Sequence, residues 1–232
     1  MTTLAAGACS ASPRAGSPPA VDHDAYQEIQ FTRPDGAVRS GRVFGDGPVA
    51  VVLSYMAFRP DNSQDDWAPF ATELADNGYR VLTYARGGLT DVWQDVLAAA
   101  DYLRQHGAKK VIAGGASLGA MASLRAAGAP DANLDGALWL SGILQWGEYD
   151  FGEADVSGLR CPLFFASGDQ DSYAADSARQ MHAWSTAPSE LLTLRTGAHG
   201  TDILANGGAE ADKLRKAMLR YVSRVAGVST TC

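Results

Sequence analysis

The sequence contains few cysteines and no cluster of basic residues, and each shortage excludes a class of function. Its three cysteines, Cys9, Cys161 and Cys232, form no CxxC pair, which excludes the usual zinc and redox motifs. Cys161 begins an apolar segment and is expected to be a buried thiol, whereas the terminal Cys232 is expected to be mobile. A net charge of −7 argues against a nucleic-acid-binding surface, because such a surface needs a basic stripe.

Long apolar runs and metal-binding motifs are also missing. No stretch approaches the roughly 18 consecutive apolar residues that a membrane-spanning helix needs, and no H-E-x-x-H spacing offers a metal site. A chain of 232 residues can bury a sufficient core without a disulfide or a metal. We therefore expect a folded domain that needs no metal or organic cofactor.

Residues 1–25 differ in composition from the rest of the chain. They are rich in Ala, Ser, Pro and Gly and show no hydrophobic periodicity, which predicts a disordered tail before one domain at 26–232. Small residues leading into Cys9 resemble a bacterial lipoprotein processing site, although the basic and long apolar regions of a signal peptide do not precede them. Two alternatives stay open: an extracytoplasmic protein with a lipid anchor at Cys9, and a cytoplasmic protein with a plain tail.

From residue 26 onward, strand-like and helix-like segments alternate. Residues 27–33 and 37–44 alternate in polarity around a Pro-Asp-Gly turn, which predicts an antiparallel hairpin. Short apolar runs then alternate with segments of helical spacing, which predicts buried strands covered by helices. The further predicted strands are 49–54, 79–84, 110–114, 134–140, 162–166 and 191–195, and the predicted helices are 67–77, 92–106, 118–127, 176–184 and 212–225.

This order of elements predicts an α/β fold. We expect a mostly parallel central sheet of about eight strands, with an N-terminal antiparallel hairpin and helices on both faces. Ligands on such sheets bind beyond the carboxyl ends of the strands. The residues that carry chemistry are therefore expected in the loops that directly follow strands.

A serine motif occupies one of these loops. Residues 115–119, GASLG, match G-x-S-x-G between the predicted strand 110–114 and the predicted helix 118–127. In this strand–turn–helix context a serine sits on a strained turn with its hydroxyl exposed. The glycines leave room for the tight turn, and the helix N-terminus favours negative charge. Ser117 is therefore the candidate nucleophile, and a glycine-rich turn without chemistry is the alternative.

The candidate base follows by elimination among four histidines. His23 lies in the tail, His106 ends a predicted helix and His182 lies within another. His199 directly follows the predicted strand 191–195 and is flanked by small residues, so it can reach a serine on a neighbouring loop. Without Ser117 it would be interpreted as an ordinary surface histidine.

Two aspartates compete for the role of the acid. Asp169 and Asp171 both follow the predicted strand 162–166. A histidine base needs one carboxylate on its far nitrogen, which holds the tautomer and stabilises the imidazolium ion. Asp171 is the preferred candidate and Asp169 the alternative, and the other aspartate is expected to cap the loop.

Together these motifs resemble the α/β-hydrolase superfamily, and within it the small bacterial hydrolases of the dienelactone-hydrolase-like kind. The resemblance covers nearly everything from residue 26 onward, with the triad in the order Ser, Asp, His. It implies Ser117 as the nucleophile and His199, in its H-G-T context, as the base. The family's G-x-x-D loop implies Asp171 as the acid.

Two positions depart from the family pattern. The family usually has His-Gly after the third strand, where this chain has Ser54 and Tyr55, so the implied oxyanion hole uses the backbone N–H groups of Met56 and Leu118. The family's Asp-x-Arg-Gly element keeps only its Arg-Gly here. The retained Arg86 is expected to be a structural hydrogen-bonding residue.

The resemblance implies a serine hydrolase that cleaves small carboxylic esters through an acyl-enzyme. An acyltransferase or thioesterase with the same triad, and a non-catalytic binding or surface-anchored protein, are the alternatives. Larger relatives insert a cap where this chain has only residues 141–160, which predicts an open site. Five aromatic residues are expected either to line that site or to pack in the core: Tyr55, Phe58, Trp146, Tyr149 and Phe151.

Overall fold

The computed structural model describes residues 26–58, 64–130 and 132–232. The predicted tail and the possible lipid anchor at Cys9 lie outside the described residues. Within those ranges, no helix combines the length and the apolar character needed to cross a membrane.

The described chain forms ten strands and seven α-helices. In chain order they are β1 Gln27–Thr32, β2 Val38–Phe44, β3 Val49–Ser54, α1 Ala68–Asp76, β4 Arg80–Tyr84, α2 Val92–Gln105, β5 Lys110–Ala116, α3 Leu118–Ala127, β6 Gly136–Leu140, β7 Gln145–Trp146, β8 Tyr149–Asp150, α4 Glu153–Ser157, β9 Leu163–Gly168, α5 Ser172–Trp184, β10 Ser189–Leu194, α6 Asp202–Ala205 and α7 Gly208–Ala226.

Eight of the strands form one sheet in the order β1-β2-β4-β3-β5-β6-β9-β10. The β1–β2 and β2–β4 pairs are antiparallel, and the pairs from β4 through to β10 are parallel. The predicted fold class, including the N-terminal hairpin, is therefore confirmed. All the parallel strands end at one edge of the sheet, which we call the carboxyl edge, and begin at the opposite amino edge.

Helices cover both faces of the sheet because its central strands are apolar on both sides. Val96 of α2 and Leu124 of α3 belong to one buried cluster. Leu74 of α1 and Met218 of α7 belong to a second cluster on the other face. This double burial explains why β3 is a continuous apolar run with no alternation in polarity.

The segment between β6 and β9, which was predicted to leave the site open, is small. It holds the two-stranded β7–β8 hairpin and the five-residue helix α4. Neither this hairpin nor the short helix α6 was predicted, because elements of two to five residues show no measurable periodicity. The helices α5 and α7 begin four residues earlier than predicted.

Cys161 is buried as predicted, but the predictions of a free thiol there and of a mobile Cys232 were wrong. Cys161 and Cys232 form a disulfide across a sequence separation of 71 residues. The N–H of Cys232 also donates to the carbonyl of Leu134 at 2.7 Å, so the C-terminus is held against the sheet. Cysteine spacing alone does not show which residues meet in space, which is why the pairing was missed.

Candidate active site

The turn at Ser117 joins β5 to α3 in a conformation that residues other than glycine rarely adopt. Ser117 has φ +54° and ψ −116°, and its N–H donates to the carbonyl of Leu140 at 2.8 Å. A Cβ atom on Gly119 would lie 2.5 Å from the carbonyl oxygen of Ser54, and one on Gly115 would collide with the Gly119 backbone. The two glycines of the motif therefore allow the close approach that makes this turn possible.

His199 and Asp171 are hydrogen-bonded to each other. The distance from His199 Nδ1 to Asp171 Oδ2 is 2.6 Å. Asp171 lies between β9 and α5 and His199 follows β10, so two neighbouring parallel strands bring the pair together. The His199 side chain is 40% exposed and that of Asp171 is 17% exposed. Nδ1 is thus engaged by a largely buried carboxylate, and Nε2 is the nitrogen left for chemistry.

Asp169 has a different partner. Its Oδ1 accepts a hydrogen bond from the backbone N–H of Thr196 at 3.1 Å, and its own N–H donates to Leu194 at 2.7 Å. These bonds tie the loop after β9 to the loop after β10. Asp169 therefore caps the loop, and the geometry pairs Asp171 with the histidine.

The loop that carries His199 packs directly on the turn at Ser117. A Cβ atom on Gly200, which has φ +57°, would lie 3.2 Å from the Cβ of Ala116 and would collide with Met56 Sδ. The residues beside His199 and Ser117 are thus in contact. Within the described chain no hydrogen bond joins the Ser117 hydroxyl to His199, and such bonds often tighten only when substrate is bound.

Two backbone N–H groups near Ser117 suit a developing oxyanion. Leu118 is the first residue of α3, so its N–H has no acceptor within the helix. Met56 is buried two residues beyond β3, and its N–H donates to no other described residue. Thr201 holds the Met56 side chain, with its N–H 3.4 Å from Sδ.

Comparison with solved structures matches this architecture to known proteins at low sequence identity. No protein-family model and no curated protein sequence matches the chain. The esterase Pf2001 of Pyrococcus furiosus is 14% identical with a TM-score of 0.71, over 86% of this chain and 91% of that one. The dienelactone hydrolase of Anabaena variabilis is 15% identical with a TM-score of 0.70, over 86% and 98%. The esterase Est22 is 17% identical with a TM-score of 0.66, over 88% and 81%.

The chain has the α/β-hydrolase fold. Identities this low establish the fold alone, so the roles of individual residues depend on the geometry of this chain. In α/β-hydrolases the nucleophile follows a central strand of the sheet. Here Ser117 follows β5, which lies between β3 and β6.

Tyr55 supports the loop after β3 from within the core. Its hydroxyl donates to the carbonyl of Gly88 at 3.1 Å and accepts from the N–H of Gly87 at 3.3 Å. Burial, followed by the nearby Asp95 carboxylate, raises the pKa of Tyr55 to about 12. The phenol therefore stays protonated and links the loop after β3 to the loop after β4.

The aromatic residues predicted for the pocket divide into two groups. Tyr55, Tyr149 and Phe151 are buried, so they belong to the core. Phe58 is 75% exposed and Trp146 is half-buried. Of the five candidates, these last two have side chains exposed enough to contact a ligand at the carboxyl edge, whereas Phe151 lines a cavity at the amino edge.

A buried ion cluster behind Tyr55 was not predicted. Asp95 of α2 lies 3.3 Å from Arg33 and 3.0 Å from Arg39, and burial raises the pKa of its carboxyl despite both guanidinium groups. Arg39 also packs against Gly87, where a Cβ atom would collide with it. The structural role expected of Arg86 thus falls to Arg39, since Arg86 is exposed and bonds to no side chain or carbonyl of the described residues.

A separate surface cavity of about 590 Å³ lies at the amino edge. Its lining includes Leu124 and Arg125 of α3, Asp155 of α4 and Cys232. None of the described residues that line it is a serine or a histidine, so it holds no serine–histidine pair. The described residues also hold no group of three or more His, Cys, Asp and Glu side chains arranged to bind a metal.

Proposed function

We propose that this protein is a serine hydrolase that cleaves carboxylic esters through an acyl-enzyme on Ser117. The observation that carries the proposal is the 2.6 Å hydrogen bond between His199 and Asp171, in a loop that packs on the Ser117 turn. A surface histidine without a catalytic role would not need a carboxylate partner and contact with a strained serine turn. The esterases and the dienelactone hydrolase that share the fold support the same class of reaction.

In the first step, His199 Nε2 accepts the proton of the Ser117 hydroxyl while Oγ attacks the ester carbonyl carbon. The backbone N–H groups of Leu118 and Met56 stabilise the resulting oxyanion, a contribution of about 2.7–4 kcal/mol per donor in known enzymes. Collapse of the intermediate breaks the bond to the alcohol oxygen, which takes the proton from His199. Asp171 holds the imidazole and stabilises its charged form.

In the second step, water replaces the alcohol. His199 removes a proton from water as its oxygen attacks the acyl-enzyme, and the same proton returns to Ser117 Oγ when the acid leaves. If another nucleophile replaced water, the same residues would perform acyl transfer. Product analysis in the presence of a competing alcohol separates these two outcomes.

Labelling with a fluorophosphonate tests the proposal directly, because the reagent reacts with activated serines. We expect the label on Ser117, located by peptide mass spectrometry, and its loss in Ser117→Ala. His199→Ala should also lose the label while keeping the fold. Folded wild-type protein that takes up no label and hydrolyses no ester would instead favour a non-catalytic binding protein.

The disulfide supports a second proposal, that the protein matures in an oxidising compartment. Disulfides are rare in reducing cytosols and persist outside them, and this one buries Cys161 and secures Cys232. Such a location agrees with lipid attachment at Cys9. If the disulfide forms in the cell, lysis in a thiol-blocking reagent should leave Cys161 and Cys232 unmodified. If Cys9 carries a lipid, labelling with a fatty acid should be lost in Cys9→Ser. Alkylated Cys161 and Cys232 would contradict the compartment.

A further inference from the structure

Exposed apolar side chains concentrate at the carboxyl edge. The described residues include four large exposed ones, and three of these follow the ends of parallel strands: Phe58 after β3, Leu89 after β4 and Tyr173 after β9. Single exposed apolar residues are common on protein surfaces, whereas a group beside a candidate active site indicates a binding surface. Phe58 is of particular interest because its ring has an aromatic partner.

Phe58 contacts Trp146 edge to face. Their ring centroids are 5.9 Å apart and the ring planes meet at 85°. Phe58 follows β3 and Trp146 belongs to the hairpin after β6, and these two strands lie on opposite sides of β5. With neighbouring strands about 4.8 Å apart, the pair bridges roughly 10 Å. The contact therefore connects the loops on either side of β5, the strand that leads into Ser117.

The aromatic pair and the histidine loop approach this point from different faces of the sheet. Trp146 and Ala57 pack against the cluster formed with α2 and α3. Met56 and Ala198, which flank the histidine loop, pack in the cluster on the opposite face. An ester bound at Ser117 would thus lie between His199 and the two aromatic rings.

The backbone of Phe58 supports a functional interpretation. Its φ of +60° lies in the left-handed region, which bulky residues rarely occupy. Such conformations persist where surrounding structure enforces them, and they concentrate at ligand-binding sites. Here the conformation holds a large apolar ring in solvent beside Trp146, where a ligand could cover it.

We infer that Phe58 and Trp146 determine substrate specificity by binding a flat aromatic group of the ester. This inference rests on the proposed function. Aromatic rings in edge-to-face and offset-stacked arrangements attract one another beyond the effect of buried area. A flat ring in the substrate can make favourable aromatic contacts with Phe58 and with Trp146. A flexible alkyl chain gains only the burial of apolar surface, and it loses rotational freedom on binding.

The substrate test uses four esters: ethyl acetate, ethyl hexanoate, ethyl phenylacetate and benzyl acetate. We expect kcat/KM for at least one aromatic ester to exceed that for ethyl hexanoate by roughly tenfold, a typical size for pocket discrimination. Preference for ethyl phenylacetate would place the ring on the acyl side, and preference for benzyl acetate on the alcohol side. Equal rates for hexanoate and both aromatic esters would overturn the inference.

The variant test uses Phe58→Ala and Trp146→Ala, with Phe58→Leu to keep apolar bulk without a ring. Each should lower the aromatic-to-hexanoate ratio of kcat/KM by roughly tenfold, chiefly through KM. Tyr102→Ala is the matched control, since Tyr102 stacks on His106 at 4.0 Å near the amino edge and should leave the ratio unchanged. An unchanged ratio in Phe58→Ala would overturn the inference.

Labelling separates this inference from the proposed function. Fluorophosphonate labelling of Ser117 without any aromatic preference overturns the specificity inference and leaves the hydrolase intact. Absence of both labelling and ester turnover overturns the proposed function and the inference with it.

Discussion

The loops at the two edges of the sheet differ in how many non-glycine residues have a strained backbone conformation. Five described residues other than glycine have positive φ, and four of them lie in loops at the carboxyl edge: Phe58, Asp91, Ser117 and Ser141. The fifth, Asn133, precedes β6 at the amino edge, and asparagine tolerates this conformation, as does the aspartate at position 91. This leaves Phe58, Ser117 and Ser141 as the strained residues. Each strained residue costs on the order of 1–3 kcal/mol. The carboxyl edge thus concentrates strain around Ser117.

The amino edge has one non-glycine residue with positive φ among those described, and the edge is joined by a disulfide and by side-chain hydrogen bonds to the backbone. The disulfide joins Cys161, just before β9, to Cys232. Lys110 Nζ, at the start of β5, donates to the carbonyl of Ala226 at 2.8 Å at the end of α7. Asp135 accepts from the N–H of Val111 at 2.8 Å. These contacts stabilise the fold and offset the conformational strain of the loops at the carboxyl edge.

The largest expected effect concerns Ser117. Ser117→Ala and Ser117→Gly should both lower turnover by about a millionfold, as removal of a triad serine does elsewhere. Only glycine is relaxed at φ +54°, so Ser117→Gly should be more stable than Ser117→Ala by about 1 kcal/mol. Urea unfolding of the two variants measures the difference. Equal stability would mean that the turn is not strained.

Replacing Asp171 should have the next largest effect. Asp171→Asn keeps the size of the side chain but favours the wrong tautomer of His199, so kcat should fall by roughly 10⁴-fold with little change in stability. Asp169→Asn is the matched control, because an asparagine Oδ1 can still accept from Thr196. A greater loss of kcat in Asp169→Asn would reverse the assignment of the acid.

The sequence predicted the features that depend on neighbouring residues and missed those that depend on residues far apart in the chain. Elements with a clear local signal were predicted at their observed bounds, such as β3 from its continuous apolar run and α3 from the small and apolar residues that end before Gly128 and Pro130. The strand–turn–helix context located Ser117 for the same reason. The disulfide and the Asp95 ion cluster depend on residues far apart in sequence, so no local pattern indicates them. The exposure of each aromatic residue also depends on tertiary packing, so the sequence did not predict it.

Removal of the disulfide tests whether the amino edge contributes to stability without affecting activity. Cys232→Ala should lower the free energy of unfolding by about 4 kcal/mol or less, since the bond closes a loop of 71 residues. Activity per folded molecule should be unchanged, because Cys232 lies at the edge opposite Ser117. Denaturation with and without a reductant measures the effect, and the variant itself should be insensitive to reductant. A loss of kcat in the folded variant would show that the two edges are coupled.

The smallest expected effects come from one tyrosine hydroxyl at each edge. Tyr55 bonds Gly87 and Gly88 at the carboxyl edge, and Tyr221 donates to the carbonyls of Pro162 at 2.8 Å and Ala137 at 3.0 Å at the amino edge. Each phenylalanine variant removes two hydrogen bonds, each worth about 0.5–1.5 kcal/mol, and should lose about 1–3 kcal/mol of stability. Thermal unfolding should therefore hardly distinguish Tyr55→Phe from Tyr221→Phe.

Activity should distinguish them, because Tyr55 directly precedes Met56. Loosening the loop after β3 shifts the Met56 N–H relative to the oxyanion, so Tyr55→Phe should lower kcat by up to about tenfold, less than the loss of a whole donor. Tyr221→Phe should keep the wild-type kcat, since its partners lie at the starts of β6 and β9. Equal kcat in both variants would show that the Tyr55 hydroxyl does not position the loop that carries Met56. A loss in Tyr55→Phe alone would show that the buried hydroxyl orders the site as well as the core.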